Sequence, residues 1–313
     1  MLLLALLAGC AHAPPPPVRP RLQRYEFRQL LMGMQVRLVA YAADENTAKA
    51  ACKAGFDRVA DLEDVMTDYR VDSELMRLCA RAGSGPVEVS RELFEVLQYG
   101  QQVAERSDGA FDMTVGPFVR LWRQARKTGQ LPPREQLAAA RRLVGYRLMK
   151  LDPVKRTVDL TVPGMQLDLG GIAKGYAGDE AIRVLREHGV ASALFEAGGD
   201  IVVSAAPPDE PRGWTVETID IGAGRKKLHL TDAAVSTSGD TEQFLDIGGV
   251  RYSHVVDPRT GIGLTQRRMA TVVAPRGITS DAISKPATML EPARAKALCQ
   301  SFGATCYVRK IDR

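Results

Sequence analysis

Apolar positions change their spacing several times along the chain, and each change predicts an element. Residues 34–41 (MQVRLVAY) alternate apolar and mixed side chains, which predicts a half-buried strand. From residue 48 to 66 the apolar positions return at helical spacing through Cys52, Phe56, Val59, Leu62 and Met66. A second helix is predicted after Ser90, a good cap, with Leu93, Val96, Leu97, Val103 and Ala104 on its inner side. Residues 109–122 read as turn and loop, and 123–150 as a basic, helical and peripheral stretch. Residues 158–169 predict two short strands around Pro163-Gly164. Residues 172–188 predict a strong helix, with Ile172, Tyr176, Ile182 and Leu185 on one face and Gly189 as its stop. Short apolar runs at 193–195, 201–203, 214–219, 233–236, 252–256 and 269–273, each broken by Gly, Asp or Pro, predict further strands. Residues 281–290 and 292–302 read as helices and 305–310 as a last strand. Helices and antiparallel strands in this order predict an α+β fold, with mixed or antiparallel sheets packed by helices.

Length and composition narrow this picture. At roughly 150 residues per domain, 313 residues allow about two domains, but residues 25–313 contain no linker-like break, so one large domain is expected. With 45% hydrophobic and 25% charged residues, the chain is neither disordered nor collagen-like. Its net charge of +5 comes from scattered basic residues rather than a clustered face, which argues against a nucleic-acid partner.

The start of the chain differs from the rest. Residues 1–8 (MLLLALLA) form an apolar run too short to span a bilayer and the size of a signal-peptide core. Leu7-Ala8-Gly9-Cys10 follows and resembles the lipobox of bacterial lipoproteins, in which the signal is removed and the cysteine carries lipid. The expectation is a signal peptide at 1–9, then a lipidated Cys10 on a proline-rich tether at 10–24, extended and solvated around Pro14–Pro17. Such an anchor would place the protein in the bacterial cell envelope, membrane-held and facing the periplasm. Cys52, Cys79, Cys299 and Cys306 then remain, an even number able to pair in an oxidising compartment. Cys52 and Cys79 sit in helical stretches and read equally well as buried thiols. No cysteine or histidine spacing points to zinc.

The chemistry concentrates in a few polar segments. Asp168-Leu169-Gly170-Gly171-Ile172-Ala173-Lys174-Gly175 ends a strand in an acid, inserts two glycines and opens a helix. Close backbone approach, free helix N-terminal N–H groups and Lys174 read together as a phosphate or pyrophosphate cradle, or else as a tight packing turn with a solvated lysine. It is neither a P-loop nor a dinucleotide fingerprint. Ala197-Gly198-Gly199-Asp200 repeats the logic. Ser107–Thr114 (SDGAFDMT) and Ser236–Asp240 (STSGD) are polar turns. His254 lies in a strand-like run before the turn Asp257-Pro258-Arg259-Thr260-Gly261. Ser280-Asp281 reads as a helix cap, or Asp281 as an oxygen ligand for a hard cation.

In this order the segments resemble one family. TDYRVDSEL from Thr67, SDGAFDMTVGP from Ser107, DLGGIAKGYA from Asp168, AGGDI from Ala197, STSGD from Ser236, HVVDPRTG from His254 and SDA from Ser280 are similar to the motifs of the ApbE family. Its members are FAD:protein FMN transferases, and the likeness runs from about residue 31 to 290. The resemblance implies FAD as substrate, Mg²⁺ as cofactor, and a client redox protein whose Thr or Ser receives FMN through a phosphoester while AMP leaves. It implies FAD contacts at Met32, Tyr69, Ala110, Phe111, Asp112, Asp168, Lys174 and Val256. It implies metal ligation by the Gly171 carbonyl and Asp281, and His254 as the proton-accepting or phosphate-contacting group. Splitting FAD to FMN and AMP, or binding FAD without turnover, are the alternative activities. One departure stands out. Four residues after Asp281 the family places a metal-binding threonine, and here the residue is Lys285, whose ammonium has no lone pair for a metal. Three readings stay open: Ser284 or Thr288 serves instead, Lys285 itself neutralises the phosphates, or the site only binds FAD. Met34, in Gly33-Met34, also replaces the family's usual threonine.

Overall fold

The computed structural model describes residues 21–219, 225–239 and 244–310. The apolar leader, Cys10, the proline run and Asp240 lie outside these residues.

A seven-stranded sheet organises the chain. Its strands are β1 (Gln23–Leu31), β2 (Met34–Ala42), β3 (Ala193–Ala197), β4 (Asp200–Val203), β5 (Ala233–Ser238), β6 (Arg268–Ala274) and β7 (Thr305–Lys310). They lie side by side in chain order, and every neighbouring pair is antiparallel. The strand β1 starts at Gln23, so the stretch expected as tether enters the sheet two residues before its end. Both faces of β2 are covered. Val36, Leu38 and Ala40 enter the main core, whereas Val39 and Tyr41 enter a second core on the opposite face. That two-sided burial follows from the period-2 alternation of a strand and explains the nearly continuous apolar run.

The helices are α1 (Glu45–Met66), α2 (Glu74–Ala80), α3 (Arg91–Arg106), α4 (Gly116–Thr128), α5 (Arg134–Arg141), α6 (Ala173–Glu187), α7 (Gly277–Met289) and α8 (Pro292–Ser301). Apolar stripes of α1, α3, α6 and α7 fill the main core against one face of the sheet. On the other face, the hairpin of Trp214–Ile219 and Arg225–Leu230 lays Trp214, Val216 and Leu230 over Val39, Tyr41, Leu194 and Val203. The predicted caps hold at two helices. Ser90 Oγ accepts from the Leu93 N–H at 3.2 Å, and α6 ends before Gly189 with φ +81°.

Four local expectations are corrected. The stretch 109–122 is not all loop: α4 begins at Gly116, with Pro117 in its first turn and Phe118, Trp122 and Ala125 buried on one face. In 158–169 only Thr157–Leu160 is a strand, paired with Met149–Asp152. Met165, Leu167 and Leu169 do alternate inward, but their backbone bonds elsewhere: Leu167 N–H to Cys79 Sγ at 3.3 Å and Asp168 N–H to the Met113 carbonyl at 2.8 Å. The run 252–256 is two strands, Val250–Ser253 and Val256–Asp257, separated by a bend that carries His254. Ser280 is not a cap, because α7 starts three residues earlier. The thiols of Cys52, Cys79, Cys299 and Cys306 are free, and Cys52 and Cys79 are buried as read from the helical pattern.

Candidate functional site

Two hairpins turn side by side at one end of the sheet. Met32-Gly33 joins β1 to β2 with φ of +53° and +71°, and Gly198-Gly199 joins β3 to β4 with +55° and +87°. Two consecutive left-handed residues make a turn whose twist matches the strands, which is why glycine recurs there. The turns touch: a Cβ on Gly198 would lie 2.8 Å from Met34 Sδ. The Met32 N–H donates to Glu63 of α1 at 2.7 Å.

Beside these turns α6 crosses α7 at backbone contact. A Cβ on Gly175 would collide with the Gly277 carbonyl and lie 2.8 Å from Asp281 Cβ. Asp179 of α6 caps α7 from outside, accepting from the Gly277 N–H at 2.5 Å and the Ile278 N–H at 3.1 Å. The crossing brings the fully buried Asp281 to the start of α6, where its Oδ2 accepts from the Gly175 N–H at 3.0 Å. A carboxylate there is favoured by the partial positive charge of the helix end.

Lys174 turns inward to the same carboxylate. Its Nζ lies 2.9 Å from Asp200 Oδ2, 3.6 Å from Asp281 Oδ2 and 3.3 Å from the Gly170 carbonyl. Desolvation works against its charge, but Asp200 and Asp281 prevail and hold the ammonium above its ordinary range. Burial likewise pushes Asp281 up, yet Lys174 and Lys285 outweigh it and keep the carboxyl below its usual value. Lys285, one turn on, donates to Asp281 Oδ1 and to the Asp281 main-chain carbonyl, the latter at 3.1 Å. Its Cδ and Cε lie 3.6 Å from where a Gly171 Cβ would stand, and Phe111 closes the other side at 3.4 Å. Ser284 donates to the Asp281 carbonyl at 2.8 Å and bonds Ser238 of β5, while Thr288 donates to the Lys285 carbonyl at 2.7 Å. Both hydroxyls are thus engaged, Ser284 across to β5 and Thr288 within α7.

A second charged group adjoins this one. Arg123 of α4 bridges Asp68 and Asp168, donating to both, at 3.1 Å to Asp168 Oδ2. Its guanidinium lies 4.4 Å from the centre of the exposed Tyr69 ring. Burial, then the Asp68 charge, raises the Asp168 carboxyl above the usual range. Asp168 Oδ1 also accepts from the Gly170 N–H at 2.9 Å, tying this group to the loop that holds Lys174.

The structure therefore brings Met32, Tyr69, Phe111, Asp168, Gly171, Lys174 and Asp281 onto or beside one connected set of contacts. Ala110 and Asp112 flank Phe111, and all three are buried. The Asp112 carboxylate accepts from Thr114 N–H and Oγ1 and from the Tyr146 N–H, so it staples its own loop. Val256 packs with Phe118 and Trp122 in a third core. His254 is exposed on its bend. Sequence reasoning missed Arg123, hidden in a stretch read as peripheral, and Asp179, which no motif flags. A surface cavity of about 500 Å³, lined by Gln101, Glu105, Tyr146, Arg147, Met149, Lys150 and Leu151, includes none of the expected site residues.

Known proteins match this chain over most of its length. Residues 32–308 fit the family model described as ApbE family. The FAD:protein FMN transferase of Treponema pallidum (strain Nichols) is 32% identical over 302 residues, covering 91% of this chain and 83% of that protein. One from Klebsiella pneumoniae (strain 342) is 31% identical over 262 residues, covering 82% and 79%. Among solved structures, the apo form of the flavinyl transferase ApbE from Pseudomonas stutzeri superposes with a TM-score of 0.83 at 26% identity, covering 93% of this chain and 92% of that one.

Proposed function

This chain belongs to the ApbE family, and from that premise we infer that it is an FAD:protein FMN transferase. The observation that carries this is the continuous match over residues 32–308, which includes the charged set around Lys174, Asp281 and Arg123. In the reaction the oxygen of a client Thr or Ser hydroxyl bonds to the FMN-side phosphorus. The bond from that phosphorus to the bridging oxygen breaks, AMP leaves with the oxygen, and the hydroxyl proton passes to a base.

The chain's own residues supply binding, orientation and charge. We assign the flavin contacts to Met32, Tyr69, Ala110, Phe111, Asp112, Asp168, Lys174 and Val256. The exposed Tyr69 ring on the Arg123 guanidinium offers a flat face at the edge of the charged set. Lys174, held charged by Asp200 and Asp281, offsets those carboxylates beside the loop where phosphate would approach. His254, exposed on its bend, is the proposed proton acceptor. Intact mass of a client bearing a flavinylation sequence, after incubation with FAD, tests the reading. A gain of one FMN residue is expected, and no gain with or without metal would overturn it. AMP released without a client would instead favour the hydrolase reading.

The magnesium ion implied by the resemblance does not fit the residues present. Asp281 and the Gly171 carbonyl are the oxygen donors assigned to it. Asp281 Oδ1 already accepts from Lys285, and Oδ2 accepts from the Gly175 N–H and lies 3.6 Å from the Lys174 ammonium. A hard cation needs oxygens free of competing N–H donors and cations, in near-octahedral array.

We also propose that Cys10 is lipidated after removal of residues 1–9, so that the domain faces the periplasm on a proline tether. The apolar run and Leu7-Ala8-Gly9-Cys10 support this. Labelled palmitate should enter the wild-type chain and not Cys10→Ala; equal labelling would refute it.

A further inference from the structure

We propose that the Lys285 ammonium is the built-in cation of this site, standing where the flavin-transfer reading would otherwise call for a divalent metal, so that FAD is bound and cleaved without one. The proposal rests on that reading for the identity of the phosphate ligand, but its geometry is independent of it. Asp281 and Lys285 lie one turn apart on α7, on the face turned to the Gly170-Gly171 loop. The ammonium is seated on Asp281 Oδ1 and on the main-chain carbonyl of the same residue. Its carbon stem packs against Gly171, the other oxygen donor assigned to a metal. The ammonium thus sits on the Asp281 carboxylate while its stem lines the Gly171 side of the site. The Asp281 side chain is fully buried whereas Lys285 keeps 17% exposure, so the ammonium is the solvent-facing member of the pair.

Charge makes the substitution effective. Asp68, Asp168, Asp200 and Asp281 oppose Arg123, Lys174 and Lys285 within the connected set. A neutral residue at 285 would leave four carboxylates against two cations, a poor receptor for a pyrophosphate unless a divalent ion joined it. With lysine a covalently tethered charge cuts the excess of carboxylates from two to one, and a metal approaching Asp281 meets repulsion instead of a ligand.

Two measurements on the full chain test this. In the first, manganese alone is titrated into wild type and Lys285→Thr, with free Mn²⁺ read by its paramagnetic resonance signal. Lys285→Thr should bind one Mn²⁺ at least about tenfold more tightly than wild type. Wild type binding Mn²⁺ as tightly as the variant would overturn the proposal. This arm needs no flavin, so it judges the cation even if the chain binds no FAD, an outcome that would sink the functional reading alone. In the second, flavin fluorescence follows FAD binding in EDTA. Wild-type affinity should be unchanged by EDTA, while Lys285→Met, which keeps the stem and removes the charge, should bind about tenfold more weakly. Loss of wild-type binding in EDTA, or undiminished binding by Lys285→Met, would overturn it. Circular dichroism shows whether each variant is folded, and the Met variant carries the test if the Thr variant is not.

Discussion

Replacing Gly175 with Ala should destabilise the protein, although the same change in an ordinary helix would help it. Alanine is favoured over glycine within a helix by about 1 kcal/mol. At Gly175 the new methyl runs into the Gly277 carbonyl, a backbone atom that no rotamer change can move, and lies 2.8 Å from Asp281 Cβ. Overpacking of this kind costs about 1–3 kcal/mol. Parting the helices also lengthens the Gly175 N–H bond to Asp281, a hydrogen bond to a charged acceptor worth about 1.5–3 kcal/mol. The net expectation is a loss of about 2–5 kcal/mol, a large share of the roughly 5–15 kcal/mol by which domains are stable. Urea unfolding of wild type, Gly175→Ala and Gly100→Ala measures it. Gly100 is the matched control, because a Cβ there meets only the flexible Met113 side chain, and its alanine variant should stay within about 1 kcal/mol of wild type. Equal stability of the two variants would refute the claim that the α6–α7 crossing depends on glycine.

Three further outcomes follow from the same contacts. Asp179→Asn, which removes the charge that caps α7 from α6, should cost about 1–2 kcal/mol in thermal unfolding, and an unchanged melting temperature would show the cap to be dispensable. Lys174→Met should cost about 3–5 kcal/mol by leaving Asp200 and part of Asp281 uncompensated, with recovery when Asp200→Asn is added; no recovery would mean that packing and not charge is at stake. Burial pushes the Cys52 thiol up to about 12 and the Cys79 thiol up to about 11, so both stay protonated at pH 8. Half-buried Cys306, whose thiol is lowered by a hydrogen bond from the Cys299 thiol, should react first with a disulfide reagent at that pH, and Cys52 and Cys79 only after denaturation. Rapid native labelling of Cys52 would contradict this.

Local pattern accounts for much of the architecture. Periodicity placed α1, α3, α6 and every strand of the sheet except β1, because each buries its own stripe or face and needs no distant partner to be recognised. Motif order brought out Asp168, Lys174 and Asp281 as a group. It misread residues 165–169, whose alternation is that of a strand but whose backbone bonds go to Cys79 and Met113. It also set the start of α7 too late, since the cap is a carboxylate from another helix nearly a hundred residues earlier.

From its residues alone the chain specifies an α+β fold, a family and the groups able to meet a flavin pyrophosphate. What these groups do to one another was decided in three dimensions. Lys174 reads as a phosphate ligand in its motif, yet it is spent on Asp200 and Asp281. Lys285 reads as a lost metal ligand, yet its ammonium sits on the Asp281 carboxylate. The cause is the glycine crossing of α6 and α7, which sets Lys174 of one helix against Asp281 of the other. Coulomb energy in a desolvated site depends on such distances, and no spacing along the chain encodes them.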